Sequence, residues 1–223
     1  MSKKPDALTH ILSLDTATGE PCACLHAHSR AYLARLGDDQ RARSIGLMPM
    51  LVDLLLQGGG TWAELQLLVF SHGPGSFTGL RIAAATLAGI NSGLHLPLLH
   101  VSSLAVTARQ ALSDGPLWVL EDARAGEAFV GCYQQGIPVI PDRCMQWQHI
   151  ARTLEAGNYV CHAQAPVALP GWRRLPLSID RAEALSLQTR AECPAQAGLR
   201  ELPVYPVPNY MQLSQAERNA YAG

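Results

Sequence analysis

Two stretches of this chain have helical spacing but no face suited to water. In Ser44–Gln57, positions 45, 47, 48, 50, 51, 52, 54, 55 and 56 are apolar and Asp53 is the only charge. Leu80–Ser92 repeats the pattern with Leu80, Ile82, Ala83, Ala84, Ala85, Leu87, Ala88, Gly89 and Ile90, and with Arg81 alone charged. A helix lying on one sheet buries one side only, so its other side ordinarily carries polar residues. A second apolar side needs a second surface, because buried apolar area is worth about 25 cal/mol per Å² and large exposed patches mark contact sites. Two readings follow. Either later segments of the chain cover both helices, or the pair meets another protein, a copy or a relative. The second is the expectation, with Met48, Met50, Leu51, Leu54, Leu55, Arg81, Ile82, Ala85 and Gly89 as contact residues.

The surrounding pattern alternates strands with helices. Ile11–Leu14 reads as a strand, Asp15–Glu20 as a turn, and residues 22–28 as a returning strand. Asp38–Arg43 is a charged loop, and Gly58-Gly59-Gly60 stops the first dry helix. Leu65–Phe70 is a buried-strand run entering His72–Gly79, after which the second dry helix begins. Leu98–Val101 is another strand, with Ser102 or Ser103 capping the helix Leu104–Leu112. A second unit opens near Asp114-Gly115-Pro116, with strands Leu117–Leu120 and Ala128–Tyr133 around Asp122–Glu127. The layouts Asp15-x-x-x-Gly19-Glu20 and Asp122-x-x-x-Gly126-Glu127 coincide, 107 positions apart, which suggests an internal duplication. This rhythm predicts an α/β chain with partly parallel sheets, divided into residues 1–113 and 114–223, whose last residues can pack back on the first unit. Beyond residue 135 the chain holds nine of its fifteen prolines and periodicity is weak.

Composition narrows the chemistry. A net charge of −1 argues against a chain that grips nucleic acid alone through a basic face. No apolar run has the length of a membrane span, the N-terminus lacks a signal-peptide pattern, and the six cysteines include no C-x-x-C pair. A cytoplasmic protein with reduced thiols is the expectation. Lys3 and Lys4 are the only lysines, which removes a Walker A loop or a Schiff-base lysine. The loop His72–Gly79 joins a strand end to a helix start, where Gly73, Gly75, Ser76 and Thr78 could receive an anion or simply pack tightly. Thr78 stands where a dinucleotide fingerprint needs glycine, and residues 65–113 contain no acidic residue for a ribose. Asp15 and Thr16 could hold a phosphate or hydrated magnesium, or form a turn that supports its own backbone; Asp122 carries the same two readings, and Arg124 could pair with it or mark an anion site. Cys22, Cys24, His26 and His28 share one strand face but span about 20 Å, too far to converge on a tetrahedral ion. No metal or cofactor is expected, and a peptidase reading finds neither a metal motif nor an evident nucleophile.

The string Gly73-Pro74-Gly75-Ser76-Phe77-Thr78-Gly79-Leu80-Arg81-Ile82 resembles the TsaB (YeaZ) family. So do Ile11–Thr18, Leu47-Met48-Pro49-Met50, Pro97–Ser103 and Asp122-Ala123-Arg124-x-Gly126-Glu127-x-Phe129. The resemblance implies an actin-like ATPase fold (ASKHA, ribonuclease H-like) of two related subdomains with central mixed sheets. It also implies a non-catalytic subunit for threonylcarbamoyl transfer to adenosine 37 of tRNA. Its partners would be the catalytic paralogue TsaD through the two dry helices, TsaE in a larger complex, a second copy of itself when alone, and tRNA only through the complex. The alternative is a nucleotide-binding ATPase or phosphotransferase of the same fold. Arg43-Ser44, His72 and Gln212 stand where the family commonly has His-Ser/Thr, Arg and Arg.

Overall fold

The computed structural model describes residues 8–37 and 40–212, with the side chains of residues 40–44 left aside. Lys3, Lys4, Asp38, Asp39 and the outer ends of the two expected units therefore lie outside the described residues, as do the side chains of Arg43 and Ser44.

Two five-stranded sheets organise the chain. The first contains β1 (His10–Asp15), β2 (Cys22–Ala27), β3 (Arg30–Arg35), β4 (Leu67–Gly73) and β5 (Leu98–Ser102), in the order β3-β2-β1-β4-β5. Strands β1 to β3 are antiparallel neighbours, whereas β1, β4 and β5 run parallel. The second sheet contains β6 (Leu117–Arg124), β7 (Glu127–Gln134), β8 (Ile137–Gln146), β9 (Asn158–Val160) and β10 (Arg173–Arg174). Its order, β8-β7-β6-β9-β10, repeats the first: β6 to β8 antiparallel, and β6, β9 and β10 parallel. The duplicated Asp-Gly-Glu layout thus marks one topology used twice, the mixed-sheet α/β arrangement that the actin-like fold implies. Asp15 ends β1, and Asp122 sits at the matching place near the end of β6.

Burial explains the helices. Every residue of β1 is buried, so both faces of its sheet are covered. Leu12, Leu14, Leu68 and Phe70 face α1 (Gln40–Gln57) and α2 (Phe77–Leu94), whereas Ile11, Leu67 and Val69 face the other way. That opposite face receives α5 (Arg181–Glu192), through Ala182, Ala184 and Leu185. Helix α3 (Ser103–Gln110) serves both sheets: Leu104, Ala105 and Ala108 pack on Val119, Phe129 and Tyr133, while Val106 packs with the first sheet and α5. The short α4 (Trp147–Thr153) closes the outer side of the second sheet through Trp147 and Ile150. The strands and helices expected before residue 135 are present, with an edge strand, β3, in addition. Among the described residues no helix is long and apolar enough to cross a membrane.

Candidate functional site

The first candidate is the junction of β1, the glycine loop and α2. Asp15 is fully buried. Its Oδ1 accepts the Ala17 N–H at 2.8 Å and its Oδ2 accepts Arg181 Nη2 at 2.7 Å. Arg181, the first residue of α5, is itself fully buried and donates also to Thr107 Oγ1 at 3.0 Å and to the Ser103 carbonyl at 3.3 Å. The Thr16 hydroxyl donates to the Gly79 carbonyl at 2.7 Å, and the Ala17 carbonyl accepts the Ser76 N–H at 2.7 Å. The glycines are needed here because the β1–β2 turn lies against them: a Cβ on Gly75 would collide with the Ala17 carbonyl, and one on Gly79 with that of Thr16. Ser76 caps α2 by accepting the Gly79 N–H at 3.2 Å, while Thr78 is exposed. Ser103 Oγ donates to the Pro74 carbonyl. These contacts pack the loop tightly against the β1–β2 turn and α3. Asp122 and Arg124 are exposed at the second hairpin, where Asp122 Oδ1 accepts the Arg124 N–H at 3.1 Å. Both aspartates therefore support their own turns.

The second candidate is the outer side of α1 and α2. Along α1, Ile45 is 75% exposed, Met48 42%, Val52 39% and Leu56 70%. Spaced at i, i+3, i+7 and i+11, they form one apolar stripe that no described segment covers. On α2, Arg81, Ala85 and Gly89 are exposed, and Ile82 is half-buried against the core. A Cβ on Gly89 would meet open space. The Arg81 guanidinium lies 5.3 Å from the Phe77 ring centre, and Phe77 packs on Tyr210 with ring centres 4.8 Å apart.

This geometry corrects part of the expected contact set. Met50, Leu51, Leu54 and Leu55 belong to the inner side of α1, buried against the sheet. Ile45, Val52 and Leu56 take their place on the open side. Where all sides of a helix are apolar, periodicity cannot say which one the sheet takes. Arg181 was also outside the expected set, although Asp180 with Glu183 three residues on is a helix-start signal. Asp180 does cap α5, its Oδ1 accepting the Glu183 N–H at 3.0 Å.

The residues that depart from the family's usual ones also have places. The His72 carbonyl accepts the Asn209 N–H at 2.7 Å, and Gln212 donates to Glu127 Oε2 at 2.5 Å. These contacts strap residues 203–212 along the edge of β5 and onto the second hairpin, helped by Val207 N–H donating to His100 Nε2 at 3.0 Å. Burial, reinforced by His72, lowers the His100 pKa to about 4, and burial, with Arg190 second, does the same for His26. Both rings are then neutral in the fold and titrate near 6.5 once unfolded. Protons bind the unfolded chain more readily between those values, so stability is complete above about pH 6.5 and falls as pH drops toward 4. Urea midpoints at pH 7 and pH 5 are expected to show this loss, and His100→Gln to make it shallower.

Comparison with known proteins agrees with this architecture. The family described as TsaD, tRNA N6-adenosine threonylcarbamoyltransferase, matches residues 38–155, more than half of the chain. The tRNA threonylcarbamoyladenosine biosynthesis protein TsaB of Escherichia coli K12 is 34% identical over 128 residues, covering 56% of this chain and 55% of that one. TsaB of Haemophilus influenzae is 34% identical over 103 residues, covering 45% and 42%. The solved structure of YeaZ from Pseudomonas aeruginosa superposes with a TM-score of 0.72 at 26% identity, covering 91% of this chain and all of that one. The chain belongs to the TsaB/YeaZ family. It spans about half the length of the curated TsaB relatives it matches. The family assignment agrees with the G-P-G-S-F-T-G-L-R string, which lies within the matched segment and forms the β4–α2 connection.

Proposed function

We propose that this chain is a non-catalytic subunit in the synthesis of threonylcarbamoyladenosine at position 37 of tRNA. In this reading it docks through the outer side of α1 and α2 on a catalytic TsaD-type paralogue, and in its absence pairs with a second copy through the same side. TsaE joins in a larger assembly, tRNA is reached only through the complex, and the work is done in the cytoplasm. The observation that carries the reading is the open stripe Ile45–Met48–Val52–Leu56 beside the small, close-approach surface of Ala85 and Gly89. Such a patch, left bare, favours association. The TsaB names of the relatives support the pathway, and the closure of Asp15 by Arg181 supports a scaffold over an enzyme.

The competing reading, an ATPase or phosphotransferase using Asp15 and Asp122, draws on the twofold hairpin layout. It requires Asp15 to release Arg181, a buried pair at 2.7 Å. Calorimetry with ATP and magnesium on the isolated chain is expected to give no tight binding. The test of the proposal is genetic. Deleting the gene is expected to deplete the modified adenosine in total tRNA, and the wild-type gene to restore it. Unchanged modification in a strain with no second copy would overturn it.

A further inference from the structure

The joint between the two sheets carries more polar chemistry than packing alone requires. Asp142 on β8 accepts Ser102 Oγ through Oδ2 at 2.5 Å and the Tyr133 hydroxyl through Oδ1. Ser102 belongs to the first sheet, Tyr133 and Asp142 to the second. Ser102 is also the last residue of β5 and the N-cap of α3, its Oγ accepting the Leu104 N–H at 3.1 Å. Room for the Asp142 carboxylate comes from Gly131, where a Cβ would strike that carboxylate and the Tyr133 ring.

A second polar contact lies on the other side of a cavity of about 420 Å³ lined by Ser102, Tyr133, Asp142, Gln188 and Glu192. The β7–β8 turn places Gly136, at φ +74°, against α3 and α5, where any Cβ would collide with Gln188 and Arg109. Gln188 Nε2 donates to the Gly136 carbonyl at 2.9 Å, and Arg109 Nε donates to Gln188 Oε1 at 2.9 Å.

We infer that Asp142 and Gly136 key the two sheets into a fixed joint, so that the two halves move as one body and do not open and close around a ligand. A hinge needs a few residues free to change φ and ψ. The connection at residues 111–116 leads from α3 to β6, but α3 is itself fixed to both sheets: β5 passes into it with no linker, and Ser102 at that passage is held by its cap and by the carboxylate. The same α3 contributes to the cores of both sheets. This inference stands apart from the proposed function, since a scaffold or an enzyme could have either kind of joint.

Hydrogen exchange on the full chain tests it. In the wild type, amides of α3 and of the β7–β8 pair are expected to exchange as slowly as those of β1 and β4, through global opening alone. Tyr133→Phe, a mild change, and Asp142→Asn are each expected to speed exchange in α3 and β8 by tenfold or more while β1 and β4 stay protected. A wild type whose α3 and β8 open far more readily than β1 and β4 would overturn the inference. So would two folded variants with wild-type exchange at the joint.

Discussion

Replacing Arg181 with alanine is expected to remove about 3–5 kcal/mol of stability, the usual cost of stranding one member of a buried ion pair. Asp15 and Arg181 are both inaccessible to solvent, and Arg181 ties β1 to α3 through Asp15, Thr107 and the Ser103 carbonyl. Alanine would leave a carboxylate buried with only the Ala17 N–H to compensate it. For a chain of this length each kcal/mol lowers Tm by roughly 2–4 °C, so a drop of about 10 °C is expected in a thermal scan. The double variant Asp15→Asn with Arg181→Met removes both charges, keeps an acceptor for the Ala17 N–H and is expected to recover most of the loss. A single variant within 1 kcal/mol of wild type in urea unfolding would contradict this account of the pair.

The second large effect separates the two sides of α1. Leu54 is fully buried and Leu56 is 70% exposed, two positions apart on one helix. Leu54→Ala is expected to cost 2–5 kcal/mol of folding stability by opening a cavity under the sheet. Leu56→Arg is expected to leave folding within about 0.5 kcal/mol of wild type, because the side chain already meets water. Its effect falls on association. An arginine pressed into a dry helix contact without a counter-charge is expected to weaken pairing by at least 100-fold, and Ala85→Arg to do the same from α2. Unfolding curves and titration against the purified paralogue separate the two outcomes. If Leu56→Arg paired like wild type, the stripe would have no docking role.

Much of the fold is visible in the residues themselves, for identifiable reasons. Leu67–Phe70 is apolar at every position because β4 is covered on both faces, and Gly58-Gly59-Gly60 ends α1 through three backbone hydrogen bonds. The matching of Asp15 and Asp122 survives because each aspartate supports the turn that follows its strand. What hides is whatever depends on distant partners. Nothing near Arg181 in sequence says that it will meet Asp15, 166 positions away. The inner and outer sides of α1 look alike because both are apolar, although the sheet covers only the inner one. Strand β3 escapes notice because it is an edge, with only Tyr32 and Ala34 leaning on the core. The strands after residue 135 escape for a similar reason: β9 and β10 are three and two residues long, and β8 carries prolines on a sheet edge.

Hydrogen exchange of this chain alone and with a TsaD-type paralogue added tests the proposed docking surface most directly. Slowed exchange is expected along α1 and α2, with the second sheet and α4 unchanged. Protection that appeared on the second sheet or α4 and left α1 and α2 as they were would place the contact elsewhere and contradict the account.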